Sequence, residues 1–289
     1  MQFGADIDPW SDSSLRIKPV CPLLAQGRNV RVLQSAQSGA FSFKSMTRHF
    51  LTLDDLSAKE LTDLVQGAVE LKALHRSGQA HTPLEHKTLA MIFTKASTRT
   101  RVSFEVGMRQ LGGGTINLTP SETQIGRGEP VEDTARVISS MADGIMVRTD
   151  SHAMVERFAE YSSVPVINGL TDAVHPCQLL ADLMTLQEHK DQINGLKVAW
   201  VGDGNNVCHS WMNAARIIGF ELQIATPPGF EPSAVFMQKN ASAVVLSDSP
   251  AAAVKGANVV VTDTWASICL LYTSPSPRDG ATSRMPSSA

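Results

Sequence analysis

An α/β fold built on parallel strands follows from three features of the sequence. Short runs rich in Val and Ile recur along it, the segments between them are long enough for crossover helices, and 289 residues correspond to about two domains. Hydrophobic residues make up 43% of the chain and charged residues 18%, so a sizeable core can be buried. The 25 basic and 28 acidic groups leave a formal charge of -3, which argues against nucleic acid as a partner, because such binding rests on clustered Lys and Arg. No run approaches the roughly 18 to 20 apolar residues of a membrane helix, so no membrane partner is expected.

Along the chain, residues 1–45 have no sustained period and read as a disordered leader or a non-native extension before Met46. Residues 14–45 carry Arg16, Lys18, Arg28, Arg31 and Lys44 without an acidic residue, the composition of an organelle transit peptide, whereas Asp6, Asp8 and Asp12 oppose that reading. Ser57 and Glu60 then form a capping box, and the stripe Leu61, Leu64, Val65, Ala68 and Leu71 extends a helix of about 20 residues towards Gly78. Strands are predicted at Leu89–Phe93, Gly144–Val147, Val164–Ile167, Val198–Val201, Leu222–Ala225, Ala243–Leu246 and Val259–Val261. After Ser267 the pattern stops. Ile268-Cys-Leu-Leu-Tyr272 and then a Ser/Pro/Thr/Arg run to Ala289 make up residues 268–289, a tail expected to be disordered and non-native in character. Cys21, Cys177, Cys208 and Cys269 are spaced for neither a metal clip nor a disulfide framework, and a reducing compartment fits them best.

Chemistry concentrates at strand ends. Ser97-Thr-Arg-Thr-Arg101 lies between a strand and an amphipathic helix that buries Phe104, Met108 and Leu111. Hydroxyls, Arg99 and a helix N-terminus together make an anion cradle suited to phosphate; ordinary Ser/Thr capping with surface arginines is the alternative. The pattern GxxxxGK[ST] is absent, so this is no Walker loop. Arg148 ends one strand, and His175-Pro-Cys-Gln178 follows the next. In parallel sheets the C-terminal strand ends line the ligand crevice, where such a His can polarise a carbonyl or move a proton, or serve as a plain hydrogen-bonded loop residue. Gly202-Asp-Gly-Asn-Asn206 imitates a dinucleotide fingerprint, but Val207 replaces its third glycine and the next strand ends in Thr226-Pro227 where an acidic residue is needed. That loop can instead aim the Asn205 and Asn206 amides at a polar substrate, and Asp263 can hold an ammonium group or cap a turn.

Together these segments resemble the aspartate/ornithine carbamoyltransferase family over about residues 46–267. Ser97-Thr-Arg-Thr-Arg101 is similar to its carbamoyl phosphate signature, and His175-Pro-Cys-Gln178 to its HPxQ motif. Gln124-Ile-Gly-Arg-Gly-Glu129 is similar to the loop lent by a neighbouring subunit, and Asp203–Ser210 with Asp263–Ser267 to the ornithine-binding half. The resemblance implies two doubly wound domains with parallel sheets: residues 46–182 for carbamoyl phosphate and 183–267 for ornithine, bridged by a helix after His175. It further implies carbamoyl transfer from carbamoyl phosphate to the δ-amine of L-ornithine, with no cofactor and no metal, in a cytoplasmic homotrimer, or a mitochondrial one if the leader is a transit peptide. Ser97, Thr98, Arg99 and Thr100 would hold phosphate, and Arg148, His175 and Gln178 the carbamoyl group, with Gln124 completing a neighbour's site. Arg99, Arg148 and His175 would be the catalytic set, and Asn206, Asp263 and Ser267 would grip ornithine.

The family continues past Ser267 with Met-Gly, further strands and a His-Cys-Leu-Pro motif, whereas Ile268 and the tail follow here. The expectation is therefore a truncated second domain with impaired turnover. Transfer to another amine, such as putrescine or an acylated ornithine, a non-catalytic carbamoyl phosphate-binding fragment and a dinucleotide enzyme are the competing readings.

Overall fold

The computed structural model describes residues 47–119, 123–124, 128–190 and 192–263. The expectations for residues 1–45, for Ser267 and for residues 268–289 lie outside them. The described residues form two four-stranded, wholly parallel sheets with helices packed against them, the α/β class that the sequence predicts.

Phe50 makes an isolated bridge to Ile167, and a short 3-10 turn, Leu53–Asp55, leads to α1, Ala58–Arg76. The predicted capping box is present: Ser57 accepts from the Glu60 amide and the Glu60 carboxylate receives the Ser57 N–H. The first sheet contains β1 (Thr88–Phe93), β2 (Gly114–Leu118), β3 (Gly144–Arg148) and β4 (Val166–Leu170), ordered β2-β1-β3-β4. Helices α2 (Thr98–Gln110), α3 (Val131–Ser139) and α4 (His152–Tyr161) make the connections. Then α5 (Pro176–His189) leads to the second sheet. Its strands are β5 (Lys197–Val201), β6 (Glu221–Ala225), β7 (Val244–Leu246) and β8 (Val259–Val261), ordered β7-β6-β5-β8. Between them lie α6 (Asn206–Ile218), α7 (Ala234–Lys239) and α8 (Pro250–Val254).

Two strands depart from expectation for local reasons. β4 starts later than Val164 because the Ser162 hydroxyl takes the Val164 N–H and Pro165 has none to give; it then runs on through buried Asn168, whose amide donates to Leu51 O at 2.9 Å. β2 is an edge strand without a buried apolar run, so its sequence carries no signal of the kind that marks its neighbours.

Successive residues of β1 feed opposite faces. Ile92 joins Ile145, Val147, Val155 and Phe158 on one side, while Met91 and Phe93 join the larger core on the other. That larger core is continuous between the sheets: Leu61 and Val65 of α1, Leu179, Leu183 and Met184 of α5, and Trp211 and Met212 of α6 connect β1 to Val198 and Trp200 of β5. Lys72 and Glu188 pair at 2.5 Å across α1 and α5, and Asp54 pairs with Arg216 and Lys239 from the second half.

Each sheet reverses its strand order once beside its first strand. β1 is flanked by β2 and β3, and β5 by β6 and β8. The crevice at the carboxyl ends of such strand pairs is where open α/β sheets bind ligands. Phe93 and Arg148 sit opposite one another at the end of the β1–β3 ladder, and Asp263 follows closely on β8 beside β5. Among the described residues no helix is long and apolar enough to cross a membrane.

Candidate active site

At the first switch point, Thr94–Ala96 turn the chain from β1 into α2. Ser97 is the N-cap, yet its hydroxyl makes no cap bond, so the first-turn amides of α2 are left without a side-chain partner. The capping alternative therefore fails for Ser97, and the helix end presents free N–H groups and its partial positive charge. Thr98 and Arg99 are exposed, while Thr100 is partly buried and faces inward.

The inward contact is Arg148. Only 8% exposed, it donates from Nη1 to Thr100 Oγ1 at 2.6 Å, while its carbonyl accepts the Thr94 N–H at 3.0 Å. The pairing of β3 with β4 shifts register between Val147 and Arg148, an irregularity of the kind that re-aims a side chain at a strand end. Burial lowers the guanidinium's pKa, with Asp150 and Cys177 acting the other way; it remains a fixed cation. Lys95 Nζ and Asp150 Oδ2 meet at 2.5 Å, joining the loops after β1 and β3.

His175 stands at the N-cap of α5, with Pro176 in the first helical turn. Its Nδ1 is buried and has no hydrogen-bond partner. Burial first, and the charge of Arg148 second, bring its pKa down to about 3, so the ring is neutral at physiological pH. A neutral imidazole beside a fixed guanidinium can share a hydrogen bond with a carbonyl oxygen and stabilise the negative charge that grows there. Gln178, one turn on, is exposed and donates to Asp182 Oδ1 at 2.9 Å along its own helix. Gln124 is also exposed, and among the described residues no hydrogen bond joins it to this cradle.

Acid should weaken the fold through these rings. His175, His49 and His209 all have lowered pKa values, led in each case by burial. Below the ordinary value of 6.5 the unfolded chain takes up protons that the folded chain refuses, so stability falls as pH drops from 6.5 towards 3. Urea midpoints measured from neutral pH downward should decline, with His175 alone contributing up to about 1.4 kcal/mol per pH unit. His175→Asn should flatten that slope; an unchanged slope would show that the ring is not held neutral.

At the second switch point the Asn205 side chain caps α6, its Oδ1 accepting from Val207 and Cys208 N–H at 3.0 and 3.1 Å. Its Nδ2 donates to Asp263 Oδ2 at 2.7 Å. The Asn205 amide is thus engaged within the fold rather than aimed at a ligand, and the Asn206 Nδ2 donates to Thr171 O at 2.6 Å. Asp203, to which the sequence analysis gave no role of its own, has its pKa raised by burial and by Asp263, so two carboxylates gather beside this end of the sheet. Gly204 follows from crowding: its N–H meets Phe230 O at 2.7 Å, and an added Cβ would lie 2.2 Å from the Pro232 nitrogen. In a dinucleotide fold that space is where the pyrophosphate approaches; here the chain's own Phe230–Pro232 segment fills it.

The structure therefore brings Thr100, Arg148 and His175 together at the first switch point and Asn205, Asp203 and Asp263 at the second, one set suited to an anionic, carbonyl-bearing group and the other to a cation. Such a two-half α/β scaffold with an uncapped helix, a buried arginine and a neutral histidine has the chemistry of a group-transfer enzyme, with donors suited to an anionic group and to a developing negative charge. The comparisons with known proteins agree. A family model described as the aspartate/ornithine carbamoyltransferase, carbamoyl-P binding domain matches residues 48–188, and the Asp/Orn binding domain model matches residues 194–273. The chain belongs to the aspartate/ornithine carbamoyltransferase family. It is 56% identical over 221 residues to an ornithine carbamoyltransferase of Halorhodospira halophila, spanning 76% of this chain and 74% of that protein. The crystal structure of ornithine carbamoyltransferase from Burkholderia thailandensis matches with a TM-score of 0.73 at 48% identity, covering 75% of this chain and 76% of that one. The ornithine carbamoyltransferase from Pyrococcus furiosus matches at 0.74 and 47%, covering 77% and 74%.

Proposed function

We propose that this chain transfers the carbamoyl group of carbamoyl phosphate to the δ-amine of L-ornithine, giving L-citrulline and phosphate. The observation that carries the reading is buried Arg148, bonded to Thr100 in the uncapped first turn of α2 and acting on the ring of neutral His175. In this reading the half around residues 46–182 takes carbamoyl phosphate. Ser97, Thr98, Arg99, Thr100 and the free α2 amides hold its phosphate, while Arg148, His175 and Gln178 orient the carbamoyl group. The neutral amine attacks the carbamoyl carbon, a C–N bond forms, charge builds on the oxygen facing Arg148 and His175, and the bond to phosphate breaks as the amine gives up a proton. Asp263, with Asp203 beside it, receives the ornithine α-amine, and Asn206 and Ser267 the α-carboxylate, so that only the δ-amine reaches the carbon. No cofactor takes part.

A homotrimer in the cytoplasm, serving arginine synthesis, belongs to the same reading. Gln124 then completes a neighbour's site.

The experiment is to mix the chain with carbamoyl phosphate and ornithine, putrescine or N-acetylornithine in parallel, and to measure the carbamoylated product and phosphate. Ornithine should be the preferred acceptor; preference for another amine overturns the acceptor assignment. Arg99→Ala should weaken carbamoyl phosphate binding about 10- to 100-fold by calorimetry, the loss of one charge-assisted contact. Unchanged affinity removes Arg99 from the cradle.

A further inference from the structure

The N-terminal end of α6 carries Asn206 and, three and four residues on, His209 and Ser210, all on one face. All three reach the backbone of the loop that delivers His175. Asn206 Nδ2 donates to Thr171 O at 2.6 Å, His209 Nδ1 meets Ala173 O at 3.0 Å, and Ser210 Oγ accepts the His175 N–H at 2.8 Å while donating to Asn206 O at 2.8 Å. His209 and Ser210 are buried, at 7% and 1% exposure. The other ring nitrogen of His209 accepts the Ser233 N–H at 3.0 Å, and the ring stacks on Phe236 with centroids 4.1 Å apart and planes 2° from parallel.

These contacts leave His209 one protonation state. A backbone N–H points at Nε2, which must keep its lone pair, and a carbonyl faces Nδ1, which must carry the proton. The imidazole is thus a neutral, single-tautomer strut between the loop before α5 and the loop before α7. The loop before α5 needs such support, because His175 has no side-chain cap bond at the start of its helix. The strut also ties His175 to the same helix end at which Asn205 holds Asp263.

We propose that His209 and Ser210 are positioning residues, which fix the backbone of Ala173 and His175 from α6 and thereby set the imidazole of His175 against Arg148; for catalysis this rests on the carbamoyl transfer reading. Neither residue touches the site of reaction. Their effect passes through the loop.

The test uses the full chain and the variants Ser210→Ala, His209→Ala, His209→Asn and His209→Gln. An Asn amide can reproduce the Nδ1 donor to Ala173, and a Gln carbonyl the Nε2 acceptor for Ser233. Ser210→Ala and His209→Ala should lower kcat about tenfold or more while the carbamoyl phosphate Kd stays within about threefold, since a small misplacement of a reacting group is enough for such a loss. His209→Asn should recover most of the kcat, and His209→Gln should not. Nitrogen-15 spectra should show the His209 proton on Nδ1; a proton on Nε2 overturns the proposal. Variants that melt earlier but keep wild-type kcat also overturn it.

If the wild-type chain forms no citrulline, the reaction reading fails, and the His175 ring still decides the strut. The charged group acting on that ring is Arg148. In the wild type the His175 ring should stay neutral at about pH 5, and in Ser210→Ala, with the loop released to water, the ring should take up a proton at a higher pH than in the wild type. Identical titration in both proteins shows that Ser210 does not position it.

Discussion

Arg148→Ala is expected to lower the rate of citrulline formation by about 10²- to 10³-fold, the usual consequence of removing a preorganised donor aimed at a developing oxyanion. The magnitude follows from where Arg148 sits. It is buried at the end of β3, so its charge is screened little, and it is braced by Thr100 at 2.6 Å and therefore needs no reorganisation as charge moves onto the carbamoyl oxygen. Its loss has a second effect of known sign. Arg148 helps hold the pKa of His175 down, so its removal lets that pKa rise and brings part of the ring's titration closer to neutral pH. An acid limb should then enter the pH–rate profile of the variant at a higher pH than in the wild type. Arg148→Lys keeps the charge but not the planar fork, and should lie between the two. Circular dichroism at matched concentration separates lost chemistry from lost fold. A folded Arg148→Ala protein within about threefold of wild-type rate would take Arg148 out of the mechanism.

The parts of the fold written in apolar runs were legible. β1, β3 and β5 are buried in the middle of parallel sheets, so each carries an uninterrupted apolar run (Leu89–Phe93, Ile145–Val147 and Val198–Val201), and they were anticipated to within a residue or so. The cap at Ser57 was legible because both its partners lie within one turn. β2 was not, since an edge strand of Gly, Thr, Ile, Asn and Leu can be identified only from the neighbour it pairs with. The site divides in the same way. Ser97–Thr100, Arg148 and His175 were legible as polar residues at the ends of apolar strands, which is where a parallel sheet places ligands. What they do for one another was not: the bond from Arg148 to Thr100 spans 48 residues, and the strut from His209 to Ala173 spans 36. Asn206, His209 and Ser210 have the spacing of a solvated helix face, and only the packing of α6 against the loop before α5 buries them. Asn205 shows the opposite failure, because its side chain was free in the sequence to meet a substrate and in the fold is held by Val207, Cys208 and Asp263.

Leu183→Ala tests whether the two sheets fold as one body. Leu183 is fully buried on α5, in the core that joins Leu61 of α1 to Trp211 of α6, so truncating it opens a cavity between the halves rather than within one of them. Buried Leu to Ala changes cost about 2–5 kcal/mol, and the upper part of that range is expected, because helices on both sides would have to move to refill the space. Because the core is continuous, the loss should appear in both halves. Trp200 and Trp211, the tryptophans among the described residues, report the second sheet by fluorescence, and amide exchange in β1 and β3 reports the first. Both should show the same drop in urea midpoint. Were the fluorescence midpoint to fall while β1 and β3 amides kept wild-type protection, the halves would be separate folding units, and the core through α5 an interface between them. A shared drop would mean that the helix positioning His175 at its N-terminus also fixes one sheet on the other. The geometry of the two switch points, and with it the distance between donor and acceptor, would then depend on the same packed leucines.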